Sequence, residues 1–503
     1  MAVAFNNIPY NLRVPLFYAE VNAGPNAYQG PSRLLIIGQK TSAGSMADNE
    51  VRLFDNDAQA LGGPGSQLAE AAIWARQNHP FGEIWLGALA DPAGVAATKT
   101  ITIGAGILGS QGSVVVYVAG ERVEIAVNAV DTNAVVATNL AAAINQGYNK
   151  FQRALSFPVI ASAATNVVTL TARNIGALAN KIEIHTTLDG NEGPLQQYLT
   201  VANGVTGTGT PALGTLLSNC GDIEFDWIAA PYADTTSLNS MQSFLDDVAG
   251  RWSPMKQLYG HYLTVLFDTY GNLATAGSLR NDRNASILGV PNSPSCPWRW
   301  SAALGGQVAK DKNLGGEVDG AYTISRPLQT LPLLGIRPPK LKGDWFDITQ
   351  RNTLYQDGIA GFRVMVDGTV LLDRVVTTYR LNTWSQPDIT WLDVETRAQM
   401  VYFVRYLKQR ITQKYGRHAL ANDNPGNQQG IVTPKILKAE CVHVYGELEL
   451  GGLVENTALF AQSLIVERSN DPNRVNAYLP VDVVNQFRVF AANVTTYLQN
   501  NGQ

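Results

Sequence analysis

Apolar side chains occupy every second position at Leu12, Val14, Leu16 and Tyr18, the period of a β-strand. Pro9 and Pro15 interrupt the donor row there, so such a strand belongs at a sheet edge. From Arg33 to Gly38 the run RLLIIG is continuously apolar after its first residue, as expected of a strand buried on both faces. A helix from about Ser66 to Gln77 and a strand Glu83 to Leu86 complete a β-α-β unit, the opening of an α/β core.

Beyond Asp91-Pro92 the pattern changes. Thr, Val, Ala and Gly dominate up to Pro211, with strands predicted at 99–103, 113–118, 121–127, 167–171 and 181–186 and one amphipathic helix near 132–144. The α/β pattern resumes at Asp226 to Ala230, continues through a helix from about Ser237 to Arg251, and reaches a strand at 262–267 and an apolar turn at 287–291. Asp367-Gly368 then turns a hairpin between strands at 362–366 and 369–372. A long helix is predicted over 392–415, stopped by Gly416, and another opens at Thr433-Pro434, where a capping hydroxyl precedes a first-turn proline. Phe487, Val489 and Ala491 again alternate near the C-terminus.

The fold expected is a multidomain α/β and α+β chain. Residues 1–22 form an N-terminal arm, and residues 23–90 with 212–340 a mixed α/β core. Residues 91–211 form an inserted, protruding β-rich domain, 341–480 an α+β C-terminal domain, and 481–503 a C-terminal arm. An insertion with neighbouring ends is expected to project without disturbing its host.

Composition narrows the function. Only 16% of the 503 residues are charged, against about 25% in typical soluble proteins, so Asn, Gln, Ser, Thr and backbone supply much of the polar surface. A formal net charge of -4 gives no electrostatic case for wrapping nucleic acid. Cys220, Cys296 and Cys441 are too scattered for a disulfide framework or zinc knuckle, and no window of about 18 apolar residues suggests a membrane span. The start lacks a secretory leader, so a cytoplasmic product is expected.

Catalytic motifs fail on context. GAGILG at 104–109 fits GxGxxG, but SVVVYVAG follows where a dinucleotide site needs a helix N-terminus. Lys40 lacks the glycines of a phosphate loop, Ser253 to Lys256 is an isolated S-x-x-K, and the five histidines form no zinc spacing. No enzyme, metal or cofactor is expected. Four basic residues, Lys408, Arg410, Lys414 and Arg417, gather at the end of the long helix, where cations complement its dipole or offer a contact surface.

The segment FNNIPYNLRVPLFYAEV at 5–21 resembles the opening of Mu-like phage tail sheath proteins. So do SRLLIIGQ near Ser32, KQRITQKYGRHALA, TPKILKAE near Thr433 and VERSNDPNRVNAYLP near Val466. That resemblance implies a structural subunit that stacks as sixfold rings around a tail tube and contracts to drive the tube through the host envelope. It implies partners in the tube, baseplate and tail terminator proteins, assembly in the host cytoplasm and a place in the virion tail. By position, Leu12, Val14, Leu16 and Tyr18 would lie in an N-terminal arm that joins a neighbour's sheet, and Phe487, Val489 and Ala491 in a C-terminal arm. The basic group would face an acidic tube. A pyocin or type VI secretion sheath is the nearest alternative; a β-rich surface-binding protein or an α/β enzyme with a lid stands further off.

Overall fold

A computed structural model of the chain describes residues 32–55, 57–313, 317, 318 and 321–496. The alternation predicted at Leu12 to Tyr18 lies outside the described residues.

Eight strands build the central sheet: β1 (Arg33–Gln39), β2 (Val51–Leu53), β3 (Glu83–Leu89), β4 (Trp227–Ala229), β5 (His261–Phe267), β6 (Ala285–Val290), β7 (Ile359–Val364) and β8 (Val370–Arg374). Their spatial order is β8-β7-β6-β5-β4-β1-β3-β2. β1 and β3 to β7 run parallel, while β2 and β8 close the edges antiparallel. The continuous apolar run of β1 serves two cores. Leu34 and Ile36 enter one, Leu35 and Ile37 the other, as the two-residue period requires.

One face is covered by α1 (Gln67–Asn78) and α2 (Pro297–Asp311). Ser66 caps α1 by accepting the amide of Ala69 at 3.0 Å. The two helices cross closely because Gly306 has no side chain; a Cβ there would stand 2.7 Å from the carbonyl oxygen of Ala75. Short helices at 214–219, 235–244, 270–278 and 348–356 cover the opposite face. The second of these is shorter than its sequence predicts. It ends at Phe244, and Asp246 then accepts the amides of Val248 and Ala249, both at 2.8 Å, turning the chain away.

The hairpin β7–β8 is displaced by a few residues from its predicted strands and joins the core sheet through β6. The predicted strand at 181–186 shrinks to Ile184–His185, because residues 177–181 form a 3-10 turn.

Residues 91–211 form a four-stranded antiparallel sheet, a three-stranded one and the helix Asn133–Gln146. More than the two chain ends attach this block. Val114, Val116, Leu140 and Ile144 belong to the same contiguous apolar core as Leu34, Trp74 and Leu304. At its centre Arg299 of α2 donates to Glu70 of α1 and, at 2.7 Å, to the carbonyl of Ala119 in the block. Trp298 donates to Glu70 at 2.6 Å, and Tyr148 of the block to the same carboxylate at 3.2 Å. The helical layer is thus held between the central sheet and the block.

Candidate assembly interface

Parallel sheets offer ligands a crevice beyond the carboxyl ends of strands where the chain changes direction, here between β1 and β4. Residues of the block occupy much of that place. Gln39, at the end of β1, donates to Asp91 at 2.7 Å and to the carbonyl of Ile175 at 2.6 Å. Asn174 bridges Asp91 and the carbonyl of Lys40, both at 2.9 Å. A hollow of 240 Å³ persists between Pro231, Tyr232, Phe267 and Leu178. Burial pushes the thiols of Cys220 and Cys441 up to about 11, and that of Cys296 higher still, which leaves them protonated and unreactive. Among the described residues no cluster of three or more His, Cys, Asp or Glu has metal-binding geometry, and no helix is long and apolar enough to cross a membrane.

The C-terminal region offers contact surface instead. Helix α3 (Val394–Tyr415) lies across the amino ends of the core strands and is fixed there by arginines. Arg405 pairs with Asp226 and Glu224, each at 2.5 Å. Arg397 donates to Asn284 and stands between two indoles, 3.7 Å from the Trp252 centroid and 4.6 Å from that of Trp391. Burial, and then the nearby Arg283, bring its pKa down to about 9.

Helix α4 (Pro434–Leu450) begins where Thr433 accepts the amide of Ile436 at 3.2 Å. Cys441, Val444 and Leu448 face the core. The hairpin β9 (Ile465–Arg468) and β10 (Val475–Tyr478) follows. Among the described residues these two strands pair only with each other, and Ile465 and Tyr478 are exposed.

The C-terminal candidates are distributed unevenly. No strand forms over 479–496; the region is extended, with one bridge between Val454 and Val483. Phe487, Val489, Phe490 and Val494 are 68–83% exposed, and Ala491 is exposed as well. Phe487 nonetheless offers its carbonyl to Gln329 at 3.3 Å.

Of the basic residues, Arg410 pairs with Glu447 at 3.0 Å, Lys414 pairs with Glu440, and Lys408 donates to Gln257 at 2.9 Å. Arg417 is exposed. The N-terminal candidates lie outside the described residues. Sequence reasoning missed Arg397, Arg405 and Arg488, because Asn284 and Trp252 for the first, Asp226 and Glu224 for the second, and Asp393 and Glu395 for the third lie far away along the chain.

A sequence model described as the phage tail sheath C-terminal domain matches residues 386–496. The Mu-like prophage FluMu tail sheath protein of Haemophilus influenzae is 34% identical over 504 residues, covering 98% of this chain and 99% of its own. Two solved structures overlap more loosely. The sheath tail protein of Desulfitobacterium hafniense has 12% identity and a TM-score of 0.49, covering 93% of this chain and 97% of its own. That of Listeria innocua has 11% identity and a TM-score of 0.45, covering 91% and 93%.

Proposed function

The chain belongs to the Mu-like phage tail sheath family, a structural rather than an enzyme family, and from that membership we propose that it polymerises around a tail tube and contracts to drive the tube through a host envelope. The near full-length identity to the Haemophilus protein carries this reading. A structural observation supports it: among the described residues the two-stranded hairpin pairs with no further strand, and an exposed apolar segment follows in the same region. A short sheet gains backbone hydrogen bonds by accepting strands from another chain.

In this reading the partners are further copies of the chain in stacked sixfold rings, the tube protein, and the baseplate and terminator proteins. Assembly takes place in the host cytoplasm. Leu12, Val14, Leu16 and Tyr18 enter a neighbour's sheet, Val489 and Ala491 another's, and Phe487 stands at the root of the second arm. Residues 1–22 and 481–503 act as joints between the folded bodies of neighbouring copies. The extended polymer is held in a kinetic trap that closer packing of the α/β bodies releases. Arg417 and Lys408 offer the part of the basic group best placed to meet an acidic tube.

Negative-stain electron microscopy of the purified chain at near-physiological salt tests the reading. Striated hollow tubes or rings are expected, and deletion of residues 1–20 should leave a folded monomer that forms none. Ordered tubes from the deleted chain would overturn the arm assignment. Particles that stay monomeric with and without added tube protein would overturn polymerisation itself.

A further inference from the structure

The C-terminal segment changes character at one residue. Before it, the chain is tied to the body at nearly every step. Asp482 accepts the amide of Glu455 at 3.0 Å through its carbonyl, Val484 donates to the carbonyl of Leu453 at 3.1 Å, and Gln399 donates to the carbonyl of Val484 at 2.8 Å. After it, residues 489–496 are all exposed. The residue between is Arg488, whose side chain turns inward to 13% exposure.

Its guanidinium reaches two carboxylates at the start of α3, Asp393 at 3.2 Å and Glu395 at 3.0 Å. Glu395 is fully buried and also accepts the amide of Leu328 at 2.9 Å. Asp393 is shared. Its two oxygens accept a forked pair of hydrogen bonds from Arg374, the last residue of β8, at 2.8 and 2.7 Å. Forked arginine–carboxylate contacts fix geometry as well as adding energy, so Asp393 is held in place against β8.

We infer that Arg488 is a latch fixing where the C-terminal segment leaves the body, so that residues 489 onward are the length available to a second copy of this chain. Pull on that length enters the edge of the central sheet through Asp393 and Arg374. The inference rests on the assembly reading above for its partner, but the latch itself is a property of the single chain. It moves the start of the arm from residue 481 to residue 489 and makes Arg488 a positioning residue rather than part of the exchanged strand. A joint anchored this way has a set length. Slack in it would let a neighbour drift without moving the body it is tied to.

Limited chymotryptic digestion of the full-length monomer, read by mass spectrometry, separates latched from unlatched chain. A protease must draw several residues on either side of the cut into extended form. Cleavage after Phe487 and Phe490 should therefore be slower in the unsubstituted chain than in Arg488→Gln by about tenfold or more, the factor that about 1.4 kcal/mol of local opening gives. Arg488→Gln should speed these two cuts and add none elsewhere in the body. Arg488→Lys, which keeps a cation but not the planar guanidinium that bridges Asp393 and Glu395, should fall between.

Unchanged rates at Phe487 and Phe490 in R488Q would overturn the latch. General unfolding of R488Q would instead add cuts throughout the body, and R488K then decides. Absence of tubes from the unsubstituted chain would count against the assembly reading and leave the digestion result standing.

Discussion

Arg299 of α2 and Glu70 of α1 form a two-point ion pair, Nη2 to Oε1 at 2.5 Å and Nε to Oε2 at 3.0 Å, with side-chain exposures of 0% and 3%. The pair sits where the helices meet the inserted block, and the Arg299 guanidinium stacks 4.3 Å from the Trp74 ring centroid. Removing one member of a buried pair leaves the other charged and unsolvated, at about 3–5 kcal/mol. Glu70→Gln and Arg299→Met should each lower the urea midpoint strongly, and the double substitution should cost less than the sum. Additive losses in a double-mutant cycle would show that the two charges do not act as a pair.

The same network predicts that residues 92–210 cannot be removed cleanly. Their loss would strip Ala119 and Tyr148 from Arg299 and Glu70, and Asp91's neighbour Asn174 from the end of β1. A chain with this block replaced by a short Gly/Ser linker should lose near-UV circular dichroism and cooperative melting. A sharp transition near that of the full chain would refute the interlock and restore the picture of a detachable projection.

Two buried imidazoles set an acid limit. Burial, then Arg76 and Lys310, bring His79 down to about 4, and burial with Arg397 brings His261 down to about 3. His261 meets Ser286 at 2.9 Å and packs edge-on against Trp227. Both rings stay neutral in the folded chain while the unfolded chain takes up protons below about 6.5. Stability from this source is present above pH 6.5 and is lost as pH falls toward about 4 for His79 and about 3 for His261. Urea midpoints measured from pH 7 to 5 should fall, and His79→Gln should flatten the slope. An unchanged slope would mean that His79 titrates normally.

The basic group should divide by its internal partners. Arg410→Glu places a carboxylate against Glu447 and should lower the melting temperature, whereas Arg417→Glu should leave it within about 2 °C, as surface changes generally do. If the helix end meets an acidic tube, Arg417→Glu with Lys408→Glu weakens co-sedimentation with tubes at low salt, and added salt narrows the gap. Unchanged co-sedimentation at low salt would remove the tube contact.

Much of the core was legible because its signals are local. Val, Ile and Leu runs bounded by Gly and Pro marked β1, β3 and β5; Ser66 and Thr433 marked helix starts; Asp367-Gly368 marked the β7–β8 turn. Where a side chain offered the backbone a rival hydrogen bond, as Asp246 does, the predicted helix ran too long. The alternation of Phe487, Val489 and Ala491 read as a strand. Period two gives a segment two faces but supplies no partner, and the described chain gives this one none.

The sequence by itself determined the family, the alternation of strand and helix and the two-faced burial of β1, because each is written in neighbouring residues. Only the tertiary structure decided that β7 and β8 extend the central sheet, that the inserted block closes over α1 and α2, and that Arg488 shares Asp393 with Arg374. Those outcomes depend on pairs more than 15 positions apart, up to 180 for Arg299 with Ala119. No local pattern records which distant charge or strand edge will be left needing a partner once the chain has packed.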